Sequence, residues 1–387
     1  MENETLRRTC FICGSAGGVA AFPQDYSVCG LGRVHYALRC CDGCGLTLQD
    51  PAISPATMMR QYSLFSNYLA FGEGDPALSA TAGRMLEFLA EARVPAGRVY
   101  DIGASTGAML WHFRKQGWAV GGCDLSQLAV DQARALNHIA LDYGDCQDTL
   151  PRNRGVDLVT LSHVLEHIYE PVAVLRAVWE ALAETGRLMF EVPCLIAPER
   201  NPAGLFTMEH VNFFEQTAIE NLLGMVGFRL ERAVVTLDHS PYPVITVLAA
   251  KAARPDGPPA IRNVQSENLE FLRAFNLVEQ SKWDAADARI RAALTPSEPV
   301  YVWGAGIHTS MLLVRTSLER HAAILGVTDR DAQKHGQFLG DHRVVDPAAA
   351  LESGRKIVIS SYASEAAIAE GLMRQGLAAD RIVRLYT

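Results

Sequence analysis

The chain has 387 residues, 49% hydrophobic and 20% charged, which is typical of a folded globular protein with two or three domains. Its 43 acidic and 35 basic side chains give a net charge of −8, which argues against a basic surface for nucleic acid. No apolar run approaches the roughly 20 residues that span a bilayer, and the acidic N-terminus is unlike a signal peptide. We therefore expect a cytoplasmic protein with neither a nucleic-acid nor a membrane partner.

The first unusual feature along the chain is a cluster of cysteines, because six of the nine lie before residue 45. Two Cys-x-x-Cys-Gly knuckles supply four of them: Cys10, Cys13, Cys41 and Cys44. In a reducing cytosol this pairing predicts a structural Zn²⁺ site with four thiolates, rather than redox pairs or disulfides. Cys29, His35 and Cys40 are near enough in sequence to replace one ligand. The predicted zinc-binding module covers residues 1–60.

A glycine loop headed by an acid follows an amphipathic helix predicted over residues 76–92. A strand over residues 98–102 leads into Asp101-Ile-Gly103-Ala104-Ser-Thr-Gly107, and residues 108–116 have helical apolar spacing. The loop lacks the Gly-x-Gly spacing that brings a dinucleotide's diphosphate close to the backbone. A carboxylate at its head would repel a diphosphate and suit a ligand with a cationic group. We infer that the ligand is S-adenosylmethionine (SAM).

Three further blocks follow in the order expected for a nucleoside site. The predicted strand over residues 118–124 ends on Asp124, which is placed to accept hydrogen bonds from two ribose hydroxyls. The second block is Gly144-Asp145-Cys146, and the third is residues 157–168, in which Ser162 and His163 come at the end of a fourth strand.

These blocks, over about residues 98–193, resemble the class I SAM-dependent methyltransferases. The resemblance implies that Asp101, Gly103 and Gly107 shape the methionine pocket, that Asp124 holds the ribose, and that Asp145 and Cys146 edge the adenine. The remaining predicted cofactor residues are Ala104, Leu125, Ser162 and His163.

Three further potential metal ligands follow the fourth predicted strand. His163, Glu166 and His167 are spaced i, i+3, i+4, so a helix would place them on one face. Two imidazoles and a carboxylate can bind a metal ion. We favour the alternative, in which His163 lines the cofactor pocket while Glu166 and His167 pack against the zinc module.

The last third of the chain predicts a second, smaller α/β domain. A Pro- and Gly-rich linker after residue 253 and a long helix over residues 261–294 precede a strand that ends on Gly304-Ala-Gly306-Ile-His308-Thr309. Thr309 stands where a dinucleotide loop has glycine, and there is room for only about four strands. We expect this domain to dock part of the substrate or to give structural support, rather than to bind NAD.

The order of parts over nearly the full length resembles the three-domain sugar C-methyltransferases, which alkylate nucleotide-linked deoxysugars. The resemblance implies that Glu209 and His210 serve the active site, with His210 as the base that removes a proton next to a keto group. Imidazole suits that task near neutral pH. Two tyrosines of that family are replaced by Leu64 and Thr207. The predicted substrate-binding residues are Tyr62, Tyr68, Thr207 and Asn212.

Two other functions stay open. An O- or N-methyltransferase acting on a sugar or another small molecule would need only to deprotonate the acceptor as it attacks. A non-catalytic binding module would keep the fold without the chemistry. We favour an enzyme with a small-molecule substrate and an α/β, Rossmann-like core (residues 61–252), between the zinc module and a smaller C-terminal α/β domain with its helical linker (residues 253–387).

Overall fold

A computed structural model describes residues 4–64, 76–238, 242–254, 257, 259–362 and 364–386. Tyr68, a predicted substrate residue, lies outside these ranges, and the side chain of Tyr62 is not among those described.

The N-terminal region is a small antiparallel structure. Its elements are β1 (Thr5–Leu6), β2 (Gly18–Val28), β3 (Gly32–Cys41), β4 (Thr47–Gln49), β5 (Ala52–Ile53) and the helix α1 (Pro55–Leu64). Strands β2, β3 and β4 form consecutive antiparallel pairs, and β1 pairs with β5. The two cysteine knuckles lie just before β2 and between β3 and β4.

A seven-stranded sheet forms the centre of the chain. The strands of this region are β6 (Arg98–Ile102), β7 (Ala119–Asp124), β8 (Asp142–Tyr143), β9 (Val156–Ser162), β10 (Leu182–Pro193), β11 (Asn212–Phe213), β12 (Phe228–Thr236) and β13 (Val244–Lys251). The order across the sheet is β12-β13-β10-β9-β6-β7-β8. The five strands from β10 to β8 are parallel, and β12 and β13 form the predicted antiparallel hairpin at one edge.

Helices cover this sheet on both faces. They are α2 (Pro76–Glu91), α3 (Ala108–Lys115), α4 (Gln127–Asn137), α5 (Cys146–Thr149), α6 (Pro171–Ala181) and α7 (Gln216–Val226), with 3₁₀ turns at Leu150–Arg152, Leu165–His167, Pro198–Arg200 and Ala203–Phe206. Strands β6 and β9 are buried nearly throughout, as expected for the middle of a parallel sheet. Because parallel strands end at the same edge of the sheet, residues at the ends of β6, β7, β8 and β9 come together there.

The C-terminal domain is a second, mostly parallel sheet. After the long helix α8 (Gln265–Ala293), its elements are β14 (Glu298–Trp303), α9 (Ile307–Arg315), α10 (Leu318–His321), β15 (Ala322–Thr328), β16 (Phe338–Leu339), β17 (His342–Val345), α11 (Pro347–Glu352), β18 (Lys356–Ile359), α12 (Glu365–Arg374) and β19 (Ile382–Val383), with 3₁₀ turns at Ala332–Lys334 and Ala379–Arg381. The sheet has six strands instead of the predicted four, in the order β16-β17-β15-β14-β18-β19. The two edge strands have two residues each, too few for a visible period.

The three regions share their cores. Strand β11 comes from the central region but pairs with β4 and so completes the N-terminal sheet. Cys10, Ile12 and Leu46 belong to the same apolar cluster as the central sheet, while Tyr26 and Val34 pack in the cluster of the C-terminal sheet. The predicted regions 1–60 and 61–252 therefore contribute strands to one sheet, and the apolar cores extend across both predicted boundaries.

The segment after β9 differs from its prediction. Residues 165–167 form one 3₁₀ turn and not an α-helix, so His163, Glu166 and His167 do not share a helical face. His163 instead has a left-handed backbone, with φ 54°, and its N–H donates to the carbonyl of Glu191. Among the described residues no helix is both long and apolar enough to cross a membrane.

Candidate active site

The loop between β6 and α3 is folded tightly enough to require its glycines. Gly103 and Gly107 have φ of 71° and 68°, a region that favours glycine. A Cβ on Gly103 would lie 2.6 Å from a methyl carbon of Val164. The N–H groups of Gly103 and Ala104 donate to the carbonyl of Cys123 at 2.9 and 3.0 Å, which ties the loop to the end of β7.

The predicted cofactor acids lie along the carboxyl edge of the sheet. Asp124, at the end of β7, accepts from the N–H groups of Ser105 and Ser126, both at 2.8 Å, and burial raises its pKa. Asp145 follows β8 and caps α5 by accepting from the N–H of Gln147 at 2.8 Å. The structure thus brings the loop, these acids and Ser162 to the carboxyl edge of the sheet.

Two other predicted cofactor residues differ in exposure: Cys146 is buried, and Leu125 is 50% exposed.

Asp101 is the most deeply buried of these acids. It is 3% exposed and accepts a hydrogen bond from Oγ1 of Thr160 at 2.6 Å. Burial raises the pKa of Asp101 to about 7, and the nearby Asp124 carboxylate adds to the effect. A cationic ligand group beside Asp101 would favour its ionised form.

We expect Asp101→Asn to stabilise the ligand-free protein at alkaline pH. Folding raises the pKa of the Asp101 carboxyl from 3.8 to about 7. Between these two pH values the folded protein keeps the proton and the unfolded chain has released it. The free energy of unfolding therefore falls as the pH rises from about 4 to about 7. Removing the carboxyl should raise the free energy of unfolding by up to about 4 kcal/mol at pH 8 and by little below about pH 4.

Denaturant unfolding of the ligand-free protein at several pH values measures this effect. Asp145→Asn is the matched control, because asparagine caps a helix as well as aspartate does and the side chain is exposed. An equal change in stability at all pH values for Asp101→Asn would contradict the prediction.

A second group of side chains surrounds the predicted base. His210 is 6% exposed, and its Nδ1 donates to the carbonyl of Leu205 at 2.8 Å, which leaves Nε2 as the acceptor. Its ring lies 5.0 Å from that of His167 and 5.9 Å from that of Tyr242, between centroids. Burial lowers the pKa of His210 to about 4, with a smaller contribution from His167, so the imidazole is neutral at physiological pH.

The other residues predicted around His210 have different environments. Glu209 is half-buried, and its carbonyl accepts from Nδ1 of His167 at 2.8 Å. Thr207 is buried in the loop that precedes this pair. Asn212 does not line the site: it is 1% exposed, its amide donates to the carbonyl of Ile168 at 2.7 Å, and its oxygen accepts from Arg8 at 2.9 Å. Its contacts are those of a packing residue rather than of a substrate ligand.

A network of buried charged side chains lies next to His210, and the sequence did not predict it. Glu191, inside β10, accepts from Oγ1 of Thr246 at 2.7 Å and lies 3.4 Å from Arg84 and 3.5 Å from Nε2 of His163. Burial alone would lower the pKa of His163, but Glu166 and Glu191 raise it to about 9. At Glu191, burial would raise the pKa, but contacts with His163, Thr246 and Arg84 outweigh it and lower the pKa to about 2. A glutamate within an apolar strand is the sequence signal that could have identified it.

No sequence signal identified Tyr242 as a residue near the predicted base. It lies in the β12–β13 connection, two residues before β13, and its ring lies 5.9 Å from those of both His163 and His210. A phenol is therefore present beside the predicted base although Thr207 and Leu64 are not tyrosines.

The four knuckle cysteines form one compact cluster. Cys10 Sγ lies 3.5 Å from Cys44 Sγ, Cys13 Sγ lies 3.3 Å from Cys41 Sγ, and all four sulfurs are within 4.8 Å of one another. Sulfurs around zinc, with bonds of about 2.3 Å, would be roughly 3.8 Å apart, so this set can hold Zn²⁺ with little movement. Hydrogen bonds from Cys10 and Cys44 hold the pKa of Cys41 far below its ordinary value, which favours a thiolate there.

The alternative ligands lie elsewhere. Cys40 directs its thiol at the carbonyls of Gly45 and Gln265, Cys29 faces Gln337 of the C-terminal domain, and His35 is exposed. The geometry thus selects the four cysteines that the spacing predicted.

The C-terminal glycine loop has its own acid. Asp329 follows β15, accepts from the N–H of Ala305 at 2.9 Å, and pairs with Nζ of Lys334 at 2.9 Å. Lys334, from the same domain, therefore balances the charge of this carboxylate. His308 contacts Ser360 at 3.0 Å and Tyr386 at 2.9 Å.

The central region matches a known family. Residues 77–233 match the family model described as a methyltransferase domain. With the strand order of the sheet, this identifies a class I SAM-dependent methyltransferase domain, and the protein is an enzyme of that class. No curated protein matches the chain.

Similar solved structures include two methyltransferases. Magnesium protoporphyrin IX methyltransferase from Synechocystis PCC 6803, solved with bound S-adenosylhomocysteine (SAH), is 19% identical, with a TM-score of 0.41 over 51% of this chain and 100% of its own. A SAM-dependent methyltransferase from Mesorhizobium loti is 18% identical, with a TM-score of 0.38 over 45% of this chain and 100% of its own. Identities this low carry no substrate across to this chain.

Proposed function

We propose that this enzyme transfers the methyl group of SAM to a nucleotide-linked deoxysugar or a related small natural-product intermediate, with His210 as the general base. The observation that carries the proposal is the state of His210. It is a buried, neutral imidazole whose Nδ1 is fixed by the Leu205 carbonyl, so that Nε2 is the atom able to accept a proton. A base must be unprotonated and fixed in direction before it can act.

The proposed chemistry is methylation of carbon next to a keto group. Nε2 of His210 takes the proton from that carbon, and the electron pair left behind forms the new bond to the methyl carbon. The cofactor, when bound, supplies an electrophilic methyl group and leaves as SAH. Glu166 is a carboxylate near His210 and would stabilise the imidazolium that forms, because it raises the pKa of His210 against the effect of burial.

A small aromatic cleft shares a loop with the segment that carries the base. Its cavity volume is about 50 Å³, and it is lined by Trp283, Tyr362, Tyr386 and the loop residues Pro202 and Gly204. The loop continues to Leu205, whose carbonyl orients His210. The aromatic lining of the cleft favours a substrate that presents a flat ring to it. Tyr62, Tyr68 and Thr207 stay predictions as further substrate contacts, and the proposed Zn²⁺ at the four cysteines has a structural role.

Proton exchange distinguishes this function from O- or N-methylation. We expect nucleotide-linked ketosugars to exchange a proton next to the carbonyl for deuterium when incubated in D₂O with the enzyme and SAH, because proton removal does not require methyl transfer. Labelled SAM and a panel of ketosugars, hydroxysugars and sugar-free amines then identify the acceptor by mass. Methyl transfer to oxygen or nitrogen, without carbon-bound exchange, would favour the alternative.

A further inference from the structure

Three potential metal ligands converge at the predicted base, away from the cysteine cluster. Glu166, His167 and His210 offer one carboxylate oxygen and two imidazole nitrogens, all within 4.8 Å of one another. The first two come from the 3₁₀ turn after β9, and the third comes from the loop before β11. Spacing along the sequence could not reveal this set, because about 40 residues separate its two segments.

Both imidazoles are held in an orientation that suits metal binding. Nδ1 of His167 donates to the carbonyl of Glu209, and Nδ1 of His210 donates to the carbonyl of Leu205, both at 2.8 Å. Each ring therefore presents Nε2 as its lone-pair atom, and Nε2 of His167 lies 3.9 Å from Oε1 of Glu166. Metal-bound histidines commonly donate their other ring nitrogen to a carbonyl in this way.

Glu166 is the unusual member of the set. Its side chain is 1% exposed, and neither carboxylate oxygen accepts a hydrogen bond from the part of the chain that the structure describes. The contact with Nδ1 of His163 is an ion pair at 3.4 Å, longer than an ordinary hydrogen bond. Leaving such a buried acceptor unsatisfied costs about 1–3 kcal/mol or more. His163 also contacts Glu191, so it would keep a partner if another cation took Glu166.

We propose that Glu166, His167 and His210 form a second metal site, which binds a divalent transition-metal ion such as Zn²⁺, Co²⁺ or Ni²⁺ and thereby inhibits methyl transfer. Imidazole and carboxylate ligands suit these ions. Three protein ligands leave a position for water. The ion occupies the Nε2 lone pair of His210, which then cannot accept a proton. The inhibition rests on the proposed function, whereas the binding does not.

The second site binds more weakly than the cysteine cluster. Ligand atoms bonded to zinc at about 2.0–2.1 Å lie roughly 3.3 Å apart, so the three side chains must close by about an ångström. His163 must also give up its contact with Glu166. The sulfurs of the cysteine cluster need no comparable rearrangement.

Metal binding is tested on the full-length protein by equilibrium dialysis against Zn²⁺ with total zinc measured. We expect the wild type to bind one equivalent of zinc more than the Glu166→Gln and His167→Ala variants. The control His35→Ala removes an exposed imidazole outside the set and should bind as much zinc as the wild type. Co²⁺ added to wild type that carries one equivalent of zinc, at the cysteine cluster, should show visible ligand-field bands without thiolate charge transfer, a readout that does not depend on the variants folding. Equal zinc in all four proteins and no cobalt bands would overturn the site.

Turnover separates this inference from the proposed function. At saturating Zn²⁺ we expect at least a tenfold loss of methyl transfer, reversed by a chelator too weak to strip the cysteine cluster. If the metal binds and turnover rises, the inhibitory role and the assignment of His210 as base are both wrong, while the site itself stands. If no second metal binds, the site is wrong and the base assignment is untouched.

Discussion

Cys41→Ser is expected to abolish zinc binding at the cysteine cluster and to lower the midpoint of thermal unfolding by more than about 10 °C. Binding of structural zinc contributes roughly 10–16 kcal/mol to the folding of small zinc modules, far more than one buried side chain does. One knuckle precedes β2 and the other connects β3 to β4, so losing the metal releases both of these turns from each other. The difference in the free energy of unfolding between the two proteins should shrink when a strong chelator strips the metal from both, because bound zinc stabilises only the wild type.

The same change is expected to reduce turnover, because the N-terminal sheet holds the predicted base in place. Gln49, in β4, is fully buried, and its Nε2 donates to the carbonyls of Thr207, Met208 and His210 at 3.1, 3.0 and 2.7 Å. Strand β4 also pairs with β11, two residues after His210. Loss of the zinc module therefore frees the segment that carries Glu209 and His210.

Thermal unfolding, zinc content and turnover, measured on the same preparations, check both effects. Cys40→Ser is the matched control: the thiol is adjacent in sequence and buried, but it is directed at backbone carbonyls outside the cluster. It should keep one zinc at the cysteine cluster and most of its turnover. A Cys41→Ser protein that retains a full equivalent of zinc at the cluster and unfolds at the wild-type temperature would refute the structural role.

Much of the central fold could be predicted because its signals are local. The glycines of the β6–α3 loop, the acid that ends β7 and the apolar spacing of α3 all lie within short stretches of sequence. The cysteine cluster was equally accessible, since each knuckle specifies two ligands by itself. The hairpin of β12 and β13 followed from two consecutive strand-like segments of similar length.

Features that depend on distant contacts could not be predicted. The pairing of β11 with β4 and the hydrogen bonds of Gln49 join residues about 160 positions apart. A two-residue strand has no period, which is why β11, β16 and β19 carried no signal. The turn after β9 was predicted as a helix because His163, Glu166 and His167 have helical spacing. In the structure His163 pairs with the buried side chains of Glu191 and Glu166. These contacts favour the observed 3₁₀ turn over the α-helix that the spacing predicts.

His210→Gln is expected to lower kcat by about 10²–10⁴-fold, the usual contribution of a general base, while the affinity for SAM stays within a few-fold. Glutamine keeps most of the side-chain volume in this buried position, so a loss of turnover cannot be attributed to a large cavity. The substituted protein should also lose the deuterium exchange of the bound ketosugar, because the amide of glutamine is not a base that can take the proton in place of Nε2 of His210. Isothermal titration with SAM and steady-state kinetics at saturating SAM measure the two effects separately.

Asp124→Ala should show the opposite pattern and serves as the control. Its carboxylate accepts two backbone hydrogen bonds at the end of β7 and is predicted to hold the ribose, so its removal should weaken SAM binding by about 10–100-fold, equivalent to about one charged hydrogen bond. At saturating SAM its kcat should stay close to the wild-type value, because no step at the acceptor depends on Asp124. If instead His210→Gln turns over normally, the proton must leave by another group. Tyr242 would be the next residue to substitute, because its ring packs against His210 and His163.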